Sequence, residues 1–293
     1  MGKIVLSVTP ETLVPVIPRT AATRLRPDAS YVVVGGFGGI GRSICHWLAE
    51  HGARHLVVIS RSANTAGKLE SLQVELHSTG HNVEVTAIGC DISKMTELKN
   101  ALDEHARARM PPIKGLIHGG MELKDSVLEH MTLTDHNTAL APKVQGSWNL
   151  HQYFASPDDL DFYIMLSSLI GVVGFASQCN YSAGGAFQDA LARHRAEQGL
   201  PGVSLDLGIV KSVGYLAEDE ATKTIEALQR HGFTALSDDD VLSAIGSAID
   251  TPFAGALTLG INTGPTTGGH NNNNNNENSA LKRDLRFACL EHQ

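Results

Sequence analysis

The sequence predicts an α/β fold built on a doubly wound parallel sheet. Short apolar segments alternate with segments of helical spacing along most of the chain. Glycine, serine and asparagine cluster where the connections between these segments should lie. The first apolar segment also runs directly into a glycine-rich turn that opens a helix. Stacked βαβ units of this kind form a parallel sheet that is covered by helices on both faces.

Each element follows from its local pattern. The predicted strands, which are short apolar runs bounded by turn residues, are Tyr31–Gly35, His55–Ile59, Val83–Ile88, Lys114–His118, Phe162–Leu166, Val203–Leu207 and Gly255–Leu259. The predicted helices are Ile40–His51, Gly67–Thr79, Lys94–Arg107, a long one from Thr134 to about Phe154, Gln178–Gln198 and Asp238–Ile249. Between the last strands, Gly208–Arg230 has the small and charged composition of a mobile flap.

The two ends of the chain differ from this pattern. Residues 1–30 form an extended, proline-punctuated lead-in with one predicted strand near Lys3–Val8. Residues 31–262 form the predicted catalytic domain. Residues 263–293 form a low-complexity linker and tail with six consecutive asparagines, Asn271–Asn276. Because such a tract cannot bury enough apolar surface to offset its ordering entropy, we expect it to be disordered.

Composition excludes several function classes. The net charge is −8, from 23 Lys and Arg against 31 Asp and Glu, which disfavours nucleic acid and anionic membranes as partners. No run approaches the ~18 apolar residues of a membrane helix, and no targeting segment is visible. Four scattered cysteines fit a reducing cytosol, and the scattered histidines lack metal-site spacing, so we expect no metal.

The glycine-rich turn indicates a nucleotide cofactor. Its residues are Gly35, Gly36, Phe37, Gly38, Gly39, Ile40 and Gly41. Glycines allow the backbone to approach a pyrophosphate closely, and a helix N-terminus supplies N–H donors. A tight structural turn is the alternative, but the position after the first strand of a βαβ series favours the cofactor.

The ends of the next strands bear on which cofactor binds. Ser60 and Arg61 follow the second strand, where NAD-binding proteins place an acidic residue for the ribose 2′-hydroxyl. An arginine can pair with a 2′-phosphate, so Arg61 favours NADPH over its alternative as a solvent-exposed loop residue. Asp91 and Ile92 follow the third strand, where Asp91 can accept from the adenine amino group or cap the following helix.

A serine and a tyrosine suggest ketone reduction. Ser168 ends the predicted strand Phe162–Leu166 with its neighbour Ser167, and Tyr181 lies thirteen residues further on, in the next helix. Hydride delivery to a ketone leaves an alkoxide, so a nearby acid must donate a proton. A tyrosine serves if its pKa is lowered, and the serine hydroxyl holds the carbonyl oxygen. We expect Ser167 to be structural.

The arrangement resembles that of the short-chain dehydrogenase/reductase family, which has a Rossmann-type fold. Its ordinary members place a lysine four residues after the tyrosine, where this chain has Gly185. The ketoreductases of polyketide and fatty acid synthases take the lysine from the preceding long helix instead. The segment Pro142–His151 closely resembles that helix, which makes Lys143 the expected catalytic partner.

Taken in order, several motifs resemble the ketoreductase of fungal highly reducing polyketide synthases. They are Gly35–Gly41, Leu56–Arg61, Leu116–Gly120 (which includes Gly119 at the cofactor), Lys143–Leu150, Ile164–Gly171, Gln178–Tyr181 and Ser204–Gly208. The lead-in resembles the end of the noncatalytic subdomain of such enzymes, and Ala280–Arg286 the segment towards the carrier protein. The resemblance implies NADPH-dependent reduction of a β-ketoacyl thioester on an acyl carrier protein, next to other synthase domains.

One departure keeps other functions open. The enzymes that this chain resembles carry an asparagine at the position of Gly185. That asparagine is expected to position the lysine and a relay water. Restoring it in a Gly185→Asn variant should raise both kcat and the melting temperature. A catalytically silent structural domain is therefore an alternative, although Lys143, Ser168 and Tyr181 are all present. A free-standing reductase of a small ketone is the other alternative function, since the chain begins with Met1.

Overall fold

The computed structural model describes residues 23–62, 67–108, 110–211, 233–250 and 255–261. The strands are β1 (Ser30–Val34), β2 (His55–Ile59), β3 (Glu84–Ile88), β4 (Ile113–His118), β5 (Phe162–Ser168), β6 (Val203–Leu207) and β7 (Gly255–Thr258). The helices are α1 (Gly39–Glu50), α2 (Lys68–Ser78), α3 (Met95–Arg107), α4 (Leu133–Ala141), α5 (Ser147–Tyr153), α6 (Ile170–Val173), α7 (Cys179–Glu197) and α8 (Asp238–Asp250). Each predicted strand and helix in these ranges is present, with ends shifted by a few residues.

The predicted long helix is interrupted at its centre. A single π-helical turn, Pro142–Gly146, connects α4 to α5. Pro142 has no backbone N–H to donate to the preceding turn, which accounts for a break in the regular hydrogen-bond ladder at this residue. The π-helical turn carries Lys143 and directs its side chain into the protein, where it is buried.

All seven strands are parallel and lie in the order β3-β2-β1-β4-β5-β6-β7. The chain lays β2 and β3 on one side of β1, and then crosses to place β4 and the later strands on the other side. Ligands of open α/β sheets bind at the carboxyl ends of the strands where the strand order reverses. In this sheet that position lies between β1 and β4.

Two apolar layers fill the space between the sheet and its helices. On one face, side chains such as Val33 and Val58 pack against α1, α2 and α8. On the other, side chains such as Val32 and Met165 pack against α3, α5 and α7. Burial on both faces explains why the strands are continuously apolar rather than alternating. The doubly wound α/β fold is confirmed.

The predicted strand near Lys3–Val8, most of the flap Gly208–Arg230 and the asparagine tail lie outside the described residues. Among the residues that the structure describes, no helix is both long enough and apolar enough to cross a bilayer.

Candidate active site

The glycine-rich turn lies at the point where the strand order reverses. Gly35 has a φ of +84°, and a Cβ there would lie 3.1 Å from the carbonyl oxygen of Gly119 at the end of β4. A Cβ at Gly41 would lie 2.3 Å from the Gly35 oxygen. Only glycine fits at these two positions, because the turn folds tightly against both β4 and its own helix. The predicted residues Gly35, Gly41 and Gly119 are thus brought together.

The helix that follows the turn begins with free donors. Gly38 is the N-cap of α1, and no side chain caps the helix. The first backbone N–H groups of α1 are therefore available to an anion, and the helix dipole favours one. The side chains of Phe37 and Ile40 are partly buried and pack against the core.

A basic cluster follows β2. Arg61 is largely exposed and forms an ion pair of 2.6 Å with Glu122, in the loop after β4. The hydroxyl of Ser60 contacts that of Ser62, which in turn accepts a hydrogen bond of 2.9 Å from Lys68 Nζ at the start of α2. Sequence reasoning missed Lys68; its position at the first residue of the helix after β2 was the available signal.

The loop after β3 is held by its own hydrogen bonds. Asp91 Oδ1 accepts from the backbone N–H and the hydroxyl of Ser93, and the N-cap of α3 is Lys94 rather than Asp91. The alternative that Asp91 is the N-cap of the following helix is therefore wrong. Ile92 is buried, and its carbonyl accepts from Asn149 Nδ2, so its side chain belongs to the core rather than to an open cofactor surface.

Lys143 is fully buried between the sheet and α7. Its ammonium donates to the carbonyl of Leu166 and to Oε1 of Gln188, each at 3.0 Å. It also lies 4.9 Å from the centroid of the Tyr181 ring. Burial lowers the pKa of Lys143 to about 8, although Asp189 and Asp206 act in the opposite direction.

Tyr181 and Ser168 meet at the end of β5. Burial, aided by the negative charge of Asp125, raises the pKa of Tyr181 to about 12, while a hydrogen bond with Ser168 opposes this. The phenol oxygen also lies 3.7 Å from the sulfur of Met121, in the loop after β4. The ammonium of Lys143 faces the ring rather than the hydroxyl. The predicted lowering of the Tyr181 pKa is therefore not seen in this geometry.

A polar layer underlies the same helix. Asp189 Oδ1 accepts a hydrogen bond of 2.7 Å from the hydroxyl of Ser204. Asp206 Oδ2 accepts one of 3.3 Å from Thr258, while Asp206 Oδ1 and the hydroxyl of Ser167 are buried without a well-formed hydrogen bond. Burial and the nearby Asp189 raise the pKa of Asp206 well above its usual range.

Two adjacent glycines of α7 have different neighbours. A Cβ at Gly184 would lie 2.9 Å from both Cβ and Cδ of Lys143. A Cβ at Gly185 would lie 3.1 Å from the hydroxyl of Ser167 and 3.3 Å from the Cα of Gly171 in α6. The space at position 185 is thus partly filled by β5 and α6.

His118 ties the end of β4 to the lysine-bearing turn. Its Nε2 lies 2.9 Å from the carbonyl of Pro142, and its Nδ1 accepts from the N–H of Gly120 at 3.2 Å. This pattern requires the proton on Nε2. Burial lowers the pKa of His118 to about 4, so the ring stays neutral and acts as a structural support.

Together these groups form a polar cluster at one edge of the sheet. The phenol of Tyr181, the hydroxyl of Ser168 and the buried ammonium of Lys143 meet at the carboxyl edge of the sheet, where the glycine turn also lies. No group of three or more His, Cys, Asp or Glu side chains suited to a metal occurs in the described ranges.

Comparison with known proteins places the chain among synthase domains. The family model described as "KR domain" matches residues 29–212. Over its full length, the chain is 48% identical to squalestatin tetraketide synthase clz2 of Cochliobolus lunatus. It is likewise 48% identical to the highly reducing polyketide synthase azaB of Aspergillus niger. The chain spans 11% of the length of each of these relatives.

Solved structures give the same picture. An A-type ketoreductase from a modular polyketide synthase is 30% identical, with a TM-score of 0.71 over 85% of this chain and 50% of the other. Levodione reductase is 16% identical, with a TM-score of 0.66 over 80% of this chain and 96% of the other, and it shares the fold.

Proposed function

This chain belongs to the KR-domain family, the ketoreductase domains of polyketide synthases, and we propose that it reduces a β-ketoacyl thioester to the β-hydroxyacyl thioester with NADPH. The grouping of Lys143, Tyr181 and Ser168 at the carboxyl edge of the sheet carries the proposal. Lys143 lies on the turn between α4 and α5, which is distant in sequence from Tyr181, and its meeting with Tyr181 and Ser168 has no evident structural purpose.

The residues present fit a dinucleotide. The absence of side chains at Gly35 and Gly41 lets the turn fold tightly against β4 and α1, and α1 offers N–H groups that no side chain caps. We assign the pyrophosphate to this turn and the adenine side to Asp91. When bound, the reduced nicotinamide supplies the hydride.

A 2′-phosphate suits the end of β2. Arg61 and Lys68 would give it two cations, with the hydroxyls of Ser60 and Ser62 as donors. Glu122 must then release or share Arg61, since a carboxylate and a phosphate compete for the same guanidinium. The absence of an acidic residue at the end of β2 disfavours NADH.

Three side chains donate the proton, hold the substrate oxygen and stabilise the charge that the transfer leaves. The high pKa of Tyr181 keeps its phenol protonated at neutral pH, which is the form that donates to the developing alkoxide. Ser168 holds the carbonyl oxygen beside that phenol. Lys143 places a positive charge on the ring face, which stabilises the tyrosinate that the transfer leaves.

We propose an acyl-carrier-bound substrate because the relatives are large synthases of which this chain matches a small part. Exposed apolar side chains at the substrate edge, on the loop after β4, in α4 and before α7, suit an acyl chain: Met121, Val127, Leu128, Leu133 and Phe175. The proposal includes a cytosolic location, because Cys45, Cys90 and Cys179 are free thiols. The boundaries 1–30, 31–262 and 263–293 are part of the same proposal.

A silent structural domain is the second candidate, and Gly185 is the observation that favours it. The two candidates differ in turnover. Purified chain should consume NADPH with trans-1-decalone or a β-ketoacyl thioester, and faster with a carrier-bound than with a free thioester. A preference for the free ketone would instead favour a free-standing reductase.

The decisive variant is Tyr181→Phe. Loss of the proton donor should lower kcat by about 10²- to 10⁴-fold, with NADPH affinity nearly unchanged. Tyr153→Phe is the matched control, because that hydroxyl donates to Asp103 and lies outside the proposed site. Retention of most turnover in Tyr181→Phe would show that the proton comes from another group.

A further inference from the structure

The ammonium of Lys143 has few partners for a buried charge. It makes two hydrogen bonds in the described structure, to the Leu166 carbonyl and to Gln188 Oε1. The remaining direction faces the ring of Tyr181. An ammonium in a buried site needs fixed acceptors to hold its place, and the backbone carbonyl supplies only one of them.

Gln188 is built to be the second acceptor. It is fully buried, and its Nε2 donates to the hydroxyl of Ser147 at 3.2 Å. That bond fixes the amide so that its oxygen faces Lys143, which is the only orientation an ammonium donor accepts. The side chain therefore joins α7 to the turn that carries the lysine.

The spacing along α7 supports this role. Gly184 and Gln188 are four residues apart, so they lie on one face of the helix. Gly184 leaves room for the stem of Lys143, and Gln188 receives its head. Between them, Gly185 has no side chain with which to contact the lysine. We propose that Gln188 is a positioning residue that holds Lys143 against the Tyr181 ring, a role that rests on the proposed function.

Gln188 is also a neutral partner among charged ones. Asp189 on α7 and Asp206 on β6 act on Lys143 electrostatically, but their described hydrogen bonds go to Ser204 and Thr258. His118 faces the lysine from β4 and is neutral, and Tyr181 faces it from α7. An amide holds the ammonium without the ion pair that would raise its pKa. The identity of residue 188 thus sets both the position and the protonation of the lysine.

Two substitutions separate these effects. Gln188→Leu removes the acceptor, so kcat should fall about 10- to 100-fold while the NADPH Kd changes less than about twofold. In Gln188→Leu, the alkaline limb of the pH profile of kcat should move to lower pH, because the ammonium of Lys143 is less stabilised. Gln188→Glu adds a negative charge and should move that limb to higher pH. Gln198→Leu, at the end of α7 beside His194, is the matched control and should leave the profile unchanged.

A second readout does not depend on turnover. The Lys143 amino group can be titrated by NMR in lysine-labelled protein, with Lys143→Arg to assign the signal. Its pKa should fall in Gln188→Leu and rise in Gln188→Glu. Unchanged titration in both variants, in folded protein, would overturn the positioning role. Wild-type protein that fails to reduce any ketone would refute the proposed function, whereas the titration would still decide the Gln188–Lys143 contact.

Discussion

A single methyl group at position 184 would test how closely Lys143 depends on the helix that covers it. In Gly184→Ala, the new Cβ would lie 2.9 Å from Cβ and Cδ of Lys143. Carbon atoms in contact prefer about 3.5–4.0 Å, so the lysine stem or α7 must shift by roughly 0.6–1 Å. The Cβ of Lys143 is close to its backbone and cannot swing away as the end of a side chain can.

The expected effects on rate and stability differ in size. A displacement near 1 Å at a reacting group costs up to about 100-fold in rate, so we expect kcat to fall about 10- to 100-fold. Overpacking costs about 1–3 kcal/mol, and replacing glycine by alanine in a helix returns about 1 kcal/mol. The free energy of unfolding should therefore decrease by about 0–2 kcal/mol, which lowers the melting temperature by less than about 8 °C.

Gly185→Ala is the matched control for this experiment. Its Cβ would meet Ser167 and Gly171 at 3.1 and 3.3 Å and would not touch Lys143. We expect a similar change in melting temperature but a rate within about fivefold of wild type. Turnover is followed by NADPH consumption with trans-1-decalone, and NADPH affinity by fluorescence titration. Equal rate losses in the two variants, or none in Gly184→Ala, would refute the claim that the absence of a side chain at Gly184 makes room for the stem of Lys143.

Three further predictions concern the cofactor, the missing asparagine and the buried acid. NADPH should be preferred over NADH by roughly 10- to 100-fold, and Arg61→Ala should remove most of that preference; an unchanged ratio of kcat/KM would contradict the role of Arg61. Gly185→Asn should raise kcat by about 3- to 100-fold. Helix propensity alone predicts a higher melting temperature, but the contacts with Ser167 and Gly171 mean that it should stay level or fall. An unchanged kcat in folded protein would show that the site does not need the amide. The raised pKa of Asp206 means that the folded state binds a proton more tightly than the unfolded state, so this group lowers stability as pH rises above about 4. Asp206→Asn should therefore raise the melting temperature more at about pH 8 than at about pH 4.5, and an equal change at both values would show that Asp206 is not strained by its charge.

Most of the fold was predictable because the strands are buried on both faces. Runs such as Val32–Val34, which turn residues bound, are typical of parallel strands that helices cover on both faces. The break at Pro142 was not foreseen, because the apolar spacing continues across it. The π-helical turn carries Lys143, whose side chain is buried, and no local sequence pattern marks it.

The site was predictable only in part, and for a physical reason. Tyr181 and Ser168 were found from spacing, since a strand end and the following helix are close in sequence and in space. Lys143 came from resemblance, because nothing local shows that a residue on another helix will reach Tyr181. Gln188 was missed for the same reason. Its role depends on a contact between elements, and a glutamine in a helix is usually a surface residue.

The polar layer under α7 shows what the site costs the fold. The buried polar side chains between α7 and the sheet, beside the apolar layer on the same face, are Lys143, Gln188, Asp189, Asp206 and Ser167. Buried polar groups stabilise a fold only when they are paired, and two atoms of this layer, on Ser167 and Asp206, have no well-formed bond. The Ser167 hydroxyl lies 3.1 Å from the position that a Cβ at Gly185 would occupy, and Ser167 is the β5 partner of Asp206 in the sheet register. Because Gly185 has no side chain, it offers no partner to the Ser167 hydroxyl and none to Lys143, and Gln188 remains the side-chain hydrogen-bond acceptor of the lysine in the described structure.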